Sequence, residues 1–112
     1  MASEGLHESA QDLTPQTRDL HRAIVSLMEE LEAIDWYQQR IDATTDESLR
    51  AILAHNRDEE KEHASMVLEW IRRHDTAFDI NLKKYLFTTA PITERADESE
   101  AKPAAGGKRW NG

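Results

Sequence analysis

Glu60 and His63 stand three residues apart in the run Asp58-Glu59-Glu60-Lys61-Glu62-His63. On a helix, a carboxylate and an imidazole at that spacing share one face and can offer two donors to one metal ion. Their setting gives the pair its weight. Apolar residues recur every three or four positions at Leu49, Leu53, Val67 and Trp70, and the same seam passes through Asn56, Glu60 and His63. Two strong metal ligands therefore occupy places where a core takes leucine. Left bare, a buried carboxylate and imidazole cost several kcal/mol, and a divalent cation would offset that cost. Glu59 and Glu62 fall off the seam and read as solvated surface, the ordinary reading of such a charged run.

Glu30 is the third candidate ligand. Its helical neighbours Ala23, Ser26, Leu27, Ala33, Ile34 and Tyr37 are small or apolar, which puts it at the edge of a buried face. Tyr37 lies two turns further along that face, where it could hydrogen-bond a ligand carboxylate or simply pack. One chain thus offers a lone Glu and one Glu-x-x-His pair. Two chains related by a two-fold axis offer two of each, the ligand set that holds two metals in carboxylate four-helix bundles.

The elements that must carry these residues are helices. Thr14-Pro15 predicts a helix start, with Thr as N-cap and Pro in the first turn. Helix 1 is expected to run to about Ile41, with Leu20, Ile24, Leu27, Leu31 and Ile34 on one face. Asp42 to Thr45 reads as a turn, with Thr45 as cap of a second helix from about Asp46 to Arg73. A shorter helix is expected over about 76–88, carrying Phe78, Leu82, Tyr85 and Leu86. The expected organisation is a helical domain over 1–93 and a disordered, charged and Pro/Ala/Gly-rich tail over 94–112. Two long helices make a hairpin, which cannot cover the wide apolar arc of helix 1 that includes Val25, Met28 and Trp36. The hairpin is therefore expected to dimerise into a four-helix bundle.

Composition narrows the chemistry. The net charge of -8 disfavours nucleic acid and anionic membrane. No apolar run reaches the roughly 18 residues of a spanning helix, and no signal segment opens the chain, so a cytoplasmic protein is expected. With no cysteine, disulfides, thiolate zinc and iron–sulfur ligation are excluded. A site of Glu and His suits iron or manganese, with zinc or calcium as substitutes. There is no Gly-rich phosphate loop and no Ser/His/Asp arrangement.

Long motifs carry a resemblance. His21-Arg22-Ala23-Ile24-Val25-Ser26, Met28 through Tyr37, His55 through Ala64, Leu68-Glu69-Trp70 and Tyr85-Leu86-Phe87-Thr88 closely resemble the encapsulated ferritins. The resemblance covers about residues 6–93. It implies an all-α, ferritin-like antiparallel hairpin with a short C-terminal helix, whose dimer completes a four-helix bundle and assembles into an annular decamer. It implies ferroxidase activity, the oxidation of Fe(II) to Fe(III) by oxygen at a di-iron centre. Glu30, Glu60 and His63 match the family's ligands shared between chains, and Tyr37 a tyrosine beside them. Glu29 and Glu32 match a secondary metal site on the access route, with Trp36 adjacent. The implied partner is an encapsulin shell around the protein. One departure stands out. The family's tail typically ends in a short Gly/Leu/Ile/Ser docking peptide, whereas this chain reads Lys102 to Gly112 with a lone Trp110. By itself this tail is not expected to direct the protein into a shell.

Overall fold

Thr14 and Pro15 open the first helix. The computed structural model describes residues 5–95, and α1 spans Pro15–Ala43. The Thr14 side chain accepts a hydrogen bond from the Thr17 amide at 3.1 Å, satisfying one of the unpaired donors of the first turn. Ahead of it, Ala10–Asp12 forms a single 3-10 turn, held by Arg18 donating to the Ala10 carbonyl at 2.8 Å. α2 spans Glu47–His74 and α3 spans Thr76–Tyr85. Among the described residues there is no strand, and no helix is long and apolar enough to cross a membrane.

α1 runs two residues beyond its expected end, which shortens the turn to residues 44–46. The cap of α2 is Asp46 rather than Thr45. The Asp46 carboxylate accepts from the Leu49 amide at 2.9 Å and from the Ser48 hydroxyl at 2.7 Å. These bonds, the Leu49 amide foremost, hold the Asp46 carboxyl below the usual carboxylate range. A carboxylate one residue later wins because it reaches the third helical amide and also meets the positive end of the helix dipole. So short a turn makes α1 and α2 antiparallel neighbours. Arg50 closes it. Its guanidinium donates to the Ile41 carbonyl at 3.2 Å and to the Thr44 carbonyl, and pairs with Glu47 at 2.5 Å. The carbonyls at the end of α1 thereby gain a cationic donor from the next helix.

The inward side of α1 differs from the expected face. Leu20, Leu27 and Ile34 are half-buried and Ile41 is buried, a repeat of seven residues, and Ala23, Glu30 and Tyr37 form a second half-buried repeat beside it. Ile24 and Leu31 lie one step round the helix and are exposed, Leu31 by 53%. A two-helix seam is narrow and cannot cover the whole apolar arc. On α2 the buried residues are Ala64 and Ile71, again seven apart. Ile52 and Met66 remain more than half exposed.

The chain divides into two compact units, Met1–Ile71 and Arg72–Gly112, described here over 5–71 and 72–95. In the second unit, buried Asp75 caps α3 by accepting from the Phe78 amide at 2.9 Å. Asp79 on α3 pairs with Lys83 at 3.1 Å and with Arg72. α3 stops at Tyr85, three residues short of expectation. The Leu86 amide makes the last helical bond, to Leu82, and Phe87 then takes a left-handed φ of 59°. The Thr88 hydroxyl donates to the Tyr85 carbonyl at 2.8 Å, giving that helix-end oxygen a donor. Residues 92–95 form one further helical turn, with Arg95 donating to the Lys84 carbonyl at 3.2 Å. The expected tail boundary at residue 93 falls within this turn, and the rest of that segment, 96–112, lies outside the described residues.

Candidate metal centre

The hairpin brings Glu30 of α1 against Glu60 and His63 of α2. One ligand atom from each lies within 4.8 Å of the others, and all three side chains are half-buried. This is the one group of three or more acidic or histidine side chains with metal-binding spacing among the described residues. A first-row cation with oxygen and nitrogen donors about 2.1 Å away spans at most about 4.2 Å between opposite donors. A pair at the full 4.8 Å would therefore have to close by at least about 0.6 Å to hold an ion between opposite donors.

Glu30 is the unusual member. It stands in the inward repeat of α1, seven residues from Ala23 and seven from Tyr37. Its Oε1 is buried with no hydrogen-bond partner. Burial, and next the facing charge of Glu60, push its carboxyl above the ordinary carboxylate range. His63 partly opposes this, and Glu29 adds to it. An orphaned, acceptor-only oxygen beside a second carboxylate is a cradle for a cation.

Glu60 and His63 are tied to each other. His63 Nδ1 lies 3.3 Å from Glu60 Oε1, the i, i+3 geometry of one helix face. The imidazole is the more open of the two, with 45% of its side chain exposed against 27% for Glu60. Glu59 and Glu62 are exposed.

The remaining predicted residues lie around this group rather than in it. Tyr37 is half-buried and carries the Arg40 guanidinium 5.6 Å above its ring, with no hydrogen bond from its hydroxyl to the three ligands. Glu29 is exposed, Glu32 half-buried, and Trp36 47% exposed; neither carboxylate joins the group. On either side of the centre the hairpin is open. A groove lined by Ala23, Ser26, Met66, Val67 and Trp70 lies toward the start of α1, and a hollow lined by Arg40, Leu49 and Leu53 lies toward the turn.

Periodicity gives no hint of one polar link beside the centre. Arg57 of α2 donates to Gln38 Oε1 of α1 at 2.8 Å. The two residues are nineteen positions apart, and only the pairing of the helices brings them together.

Known proteins agree with this architecture. The family described as EncFtn-like is matched over residues 5–89. The chain is similar to an encapsulated ferritin-like protein of Rhodospirillum rubrum, 54% identical over 99% of this chain and 79% of that protein. It is also similar to a ferritin-like protein of Thermotoga maritima, 54% identical over 83% of this chain and 82% of that one. The encapsulin nanocompartment cargo protein EncC of Myxococcus xanthus is 38% identical over 78% of this chain and 71% of its own length. Among solved structures, protein ne0167 of Nitrosomonas europaea superposes with a TM-score of 0.77 at 66% identity, over 79% of this chain and 97% of that one.

Proposed function

Because the chain belongs to the EncFtn-like family of encapsulated ferritin-like proteins, we propose that it is a ferroxidase whose di-iron centre forms between two subunits. The observation that carries this reading is the convergence of Glu30, Glu60 and His63 around a buried Glu30 oxygen that has no partner. Two copies related by a two-fold axis bring four carboxylates and two imidazoles together. Four carboxylate charges balance two divalent cations, and the set matches the carboxylate bundles that hold paired iron. Iron(II) is the substrate, and oxygen takes one electron from each bound ion.

The chain's own residues supply placement. Glu30 and Glu60 give hard oxygen donors, and His63 caps the set with nitrogen. Its 45% exposure leaves that side of the centre open. A second hairpin laid on the same face covers the two flanking grooves and excludes water from the ligands. The exposed apolar residues Leu31, Ile52 and Met66 support such an assembly, for which the annular decamer is our reading. Glu29 and Glu32, with Trp36 beside them, are the proposed route by which iron reaches the centre, and Tyr37 steadies the surrounding face. A bundle of this size has no room for a mineral core. The names of the relatives favour an encapsulin nanocompartment as the place where oxidised iron collects. Co-expression with an encapsulin tests this: loading that does not depend on residues 94–112 is expected, and empty shells would count against it.

Anaerobic Fe(II) titration followed by air tests the activity. An oxidase shows metal binding and then a rise in near-ultraviolet absorbance. Binding without that rise would make the centre a structural metal site, and neither response would leave an oligomerisation module.

A further inference from the structure

Apolar packing between α1 and α2 has no direction along the helix axis. The leucine and isoleucine stripe of α1 tolerates small slides and rotations against Ala64 and Ile71 of α2, yet such a movement carries Glu30 away from Glu60 and His63. A slide of one residue moves a side chain about 1.5 Å along the axis. That displacement is more than twice the roughly 0.6 Å by which opposite donors at the full 4.8 Å would have to close, so register decides whether an ion is held.

Arg57 stands where register can be set. It lies in the same seven-residue repeat of α2 as Ala64 and Ile71, the buried residues of that helix, and only 21% of its side chain is exposed. Its Nη1 donates to Gln38 Oε1 across the seam at 2.8 Å, and its Nε donates to Asp58 at 3.0 Å. Gln38 in turn donates to Asp42 at 3.1 Å, which orients its amide. Helical rotation places Arg57 about 60° from Glu60 and Gln38 about 80° from Glu30, so the link runs along one flank of the ligand face. It acts one turn from Glu60. The Arg50 clasp on Ile41 lies eleven residues, about 16 Å, from Glu30.

We propose that Arg57 and Gln38 are positioning residues for the metal centre: a directional polar link at the edge of the helix seam that fixes the register at which Glu30 meets Glu60 and His63. Polar residues in a helix interface can choose one register over its neighbours, as a single core asparagine does in coiled coils. The proposal rests on the metal reading given above.

Co(II), a redox-stable probe whose visible spectrum reports coordination, tests it on the full chain. The parent is expected to bind Co(II). Arg57→Ala and Gln38→Ala should bind about tenfold more weakly, as outer-shell changes do, with altered visible bands. Gln38→Glu combined with Asp42→Asn, which turns the link into an ion pair and keeps a donor facing position 38 where Asp42 now accepts, should keep the parental affinity and spectrum. Gln38 is exposed, so its two variants carry the test if Arg57→Ala fails to fold. Parental affinity and spectrum in both alanine variants, with only thermal stability lowered, would overturn the proposal and leave the metal centre standing. A parent that binds no Co(II) would overturn the metal reading and the proposal built on it.

Discussion

Glu30 holds its proton above the ordinary carboxylate range because it is buried and because Glu60 faces it across the hairpin. The sign of the consequence is definite. Between the ordinary carboxylate value and the raised one, the folded metal-free chain binds more protons than the unfolded chain. The Glu30 contribution to stability is therefore greatest in acid and falls as pH rises through that window, opposite in sign to that of Asp46, whose carboxyl is held low. Glu30→Gln should raise the melting temperature of the metal-free protein at neutral pH more than in acid, because it removes the Glu30 share of the pH dependence. A less stable Gln variant with an unchanged pH profile would contradict the electrostatic account. Protons compete with the ion at the same carboxylate, so metal affinity should rise over the same window.

Glu30→Ala, Glu60→Ala and His63→Ala should each slow iron oxidation by more than about tenfold, the lower end of the loss seen when even outer-shell partners are removed. In a two-fold site each substitution removes two ligands. Glu59→Ala should stay near the parental rate, because Glu59 is exposed and outside the ligand group. Initial rates of Fe(III) formation decide the matter, and equal rates in Glu59→Ala and His63→Ala would show that the wrong helix face was assigned.

Glu29→Ala and Glu32→Ala should change the Fe(II) concentration dependence of the rate and leave the saturated rate within a fewfold of the parent. Neither carboxylate is part of the converging group, though Glu29 is close enough to affect the Glu30 carboxyl. If oxidation disappears altogether in either variant while the oligomer stays intact, a ligand has been misplaced.

Metal should strengthen assembly. The described residues bury few large apolar side chains, and the proposed ligands are divided between chains. A cation that binds only the assembled form favours it by mass action. Sedimentation with and without Fe(II) should show a larger or tighter oligomer with metal. A compact, stable monomer under both conditions would refute the two-subunit centre.

Arg50→Ala should destabilise the hairpin by roughly 1–2 kcal/mol, a charge-assisted bond discounted for the 36% exposure of the side chain. The Ile41 and Thr44 carbonyls lose their donor together. Thermal unfolding measures this, and an unchanged midpoint would mean that water serves those carbonyls equally well.

Local chemistry was legible along the chain. Thr14-Pro15 marks the start of α1 because capping and proline stereochemistry involve only adjacent residues. Glu60 and His63 are readable as misfits in an apolar stripe for the same reason, since helical phase is a local property. The all-α hairpin also follows from two long periodic segments joined by a short polar turn. Terminal details were less secure. Thr45 and Asp46 are both good caps, and only the side chain that reaches the third amide decides between them. α3 ends before its apolar pattern does, because Phe87 leaves the helical region.

Whatever depends on two helices meeting was settled only by folding. Which part of the broad apolar arc of α1 turns inward follows from the narrowness of the seam, which hides Leu27 and Ile34 and leaves Leu31 in the open. Arg50 and Arg57 look like ordinary surface cations in the chain. Both become links to α1 because the antiparallel pairing sets Arg50 beside Ile41 and Arg57 beside Gln38. The orphaned Glu30 oxygen has the same origin. Periodicity places a carboxylate near a buried edge, but its desolvation, its missing partner and its charge coupling to Glu60 arise from side chains thirty residues away in the chain, brought close by register.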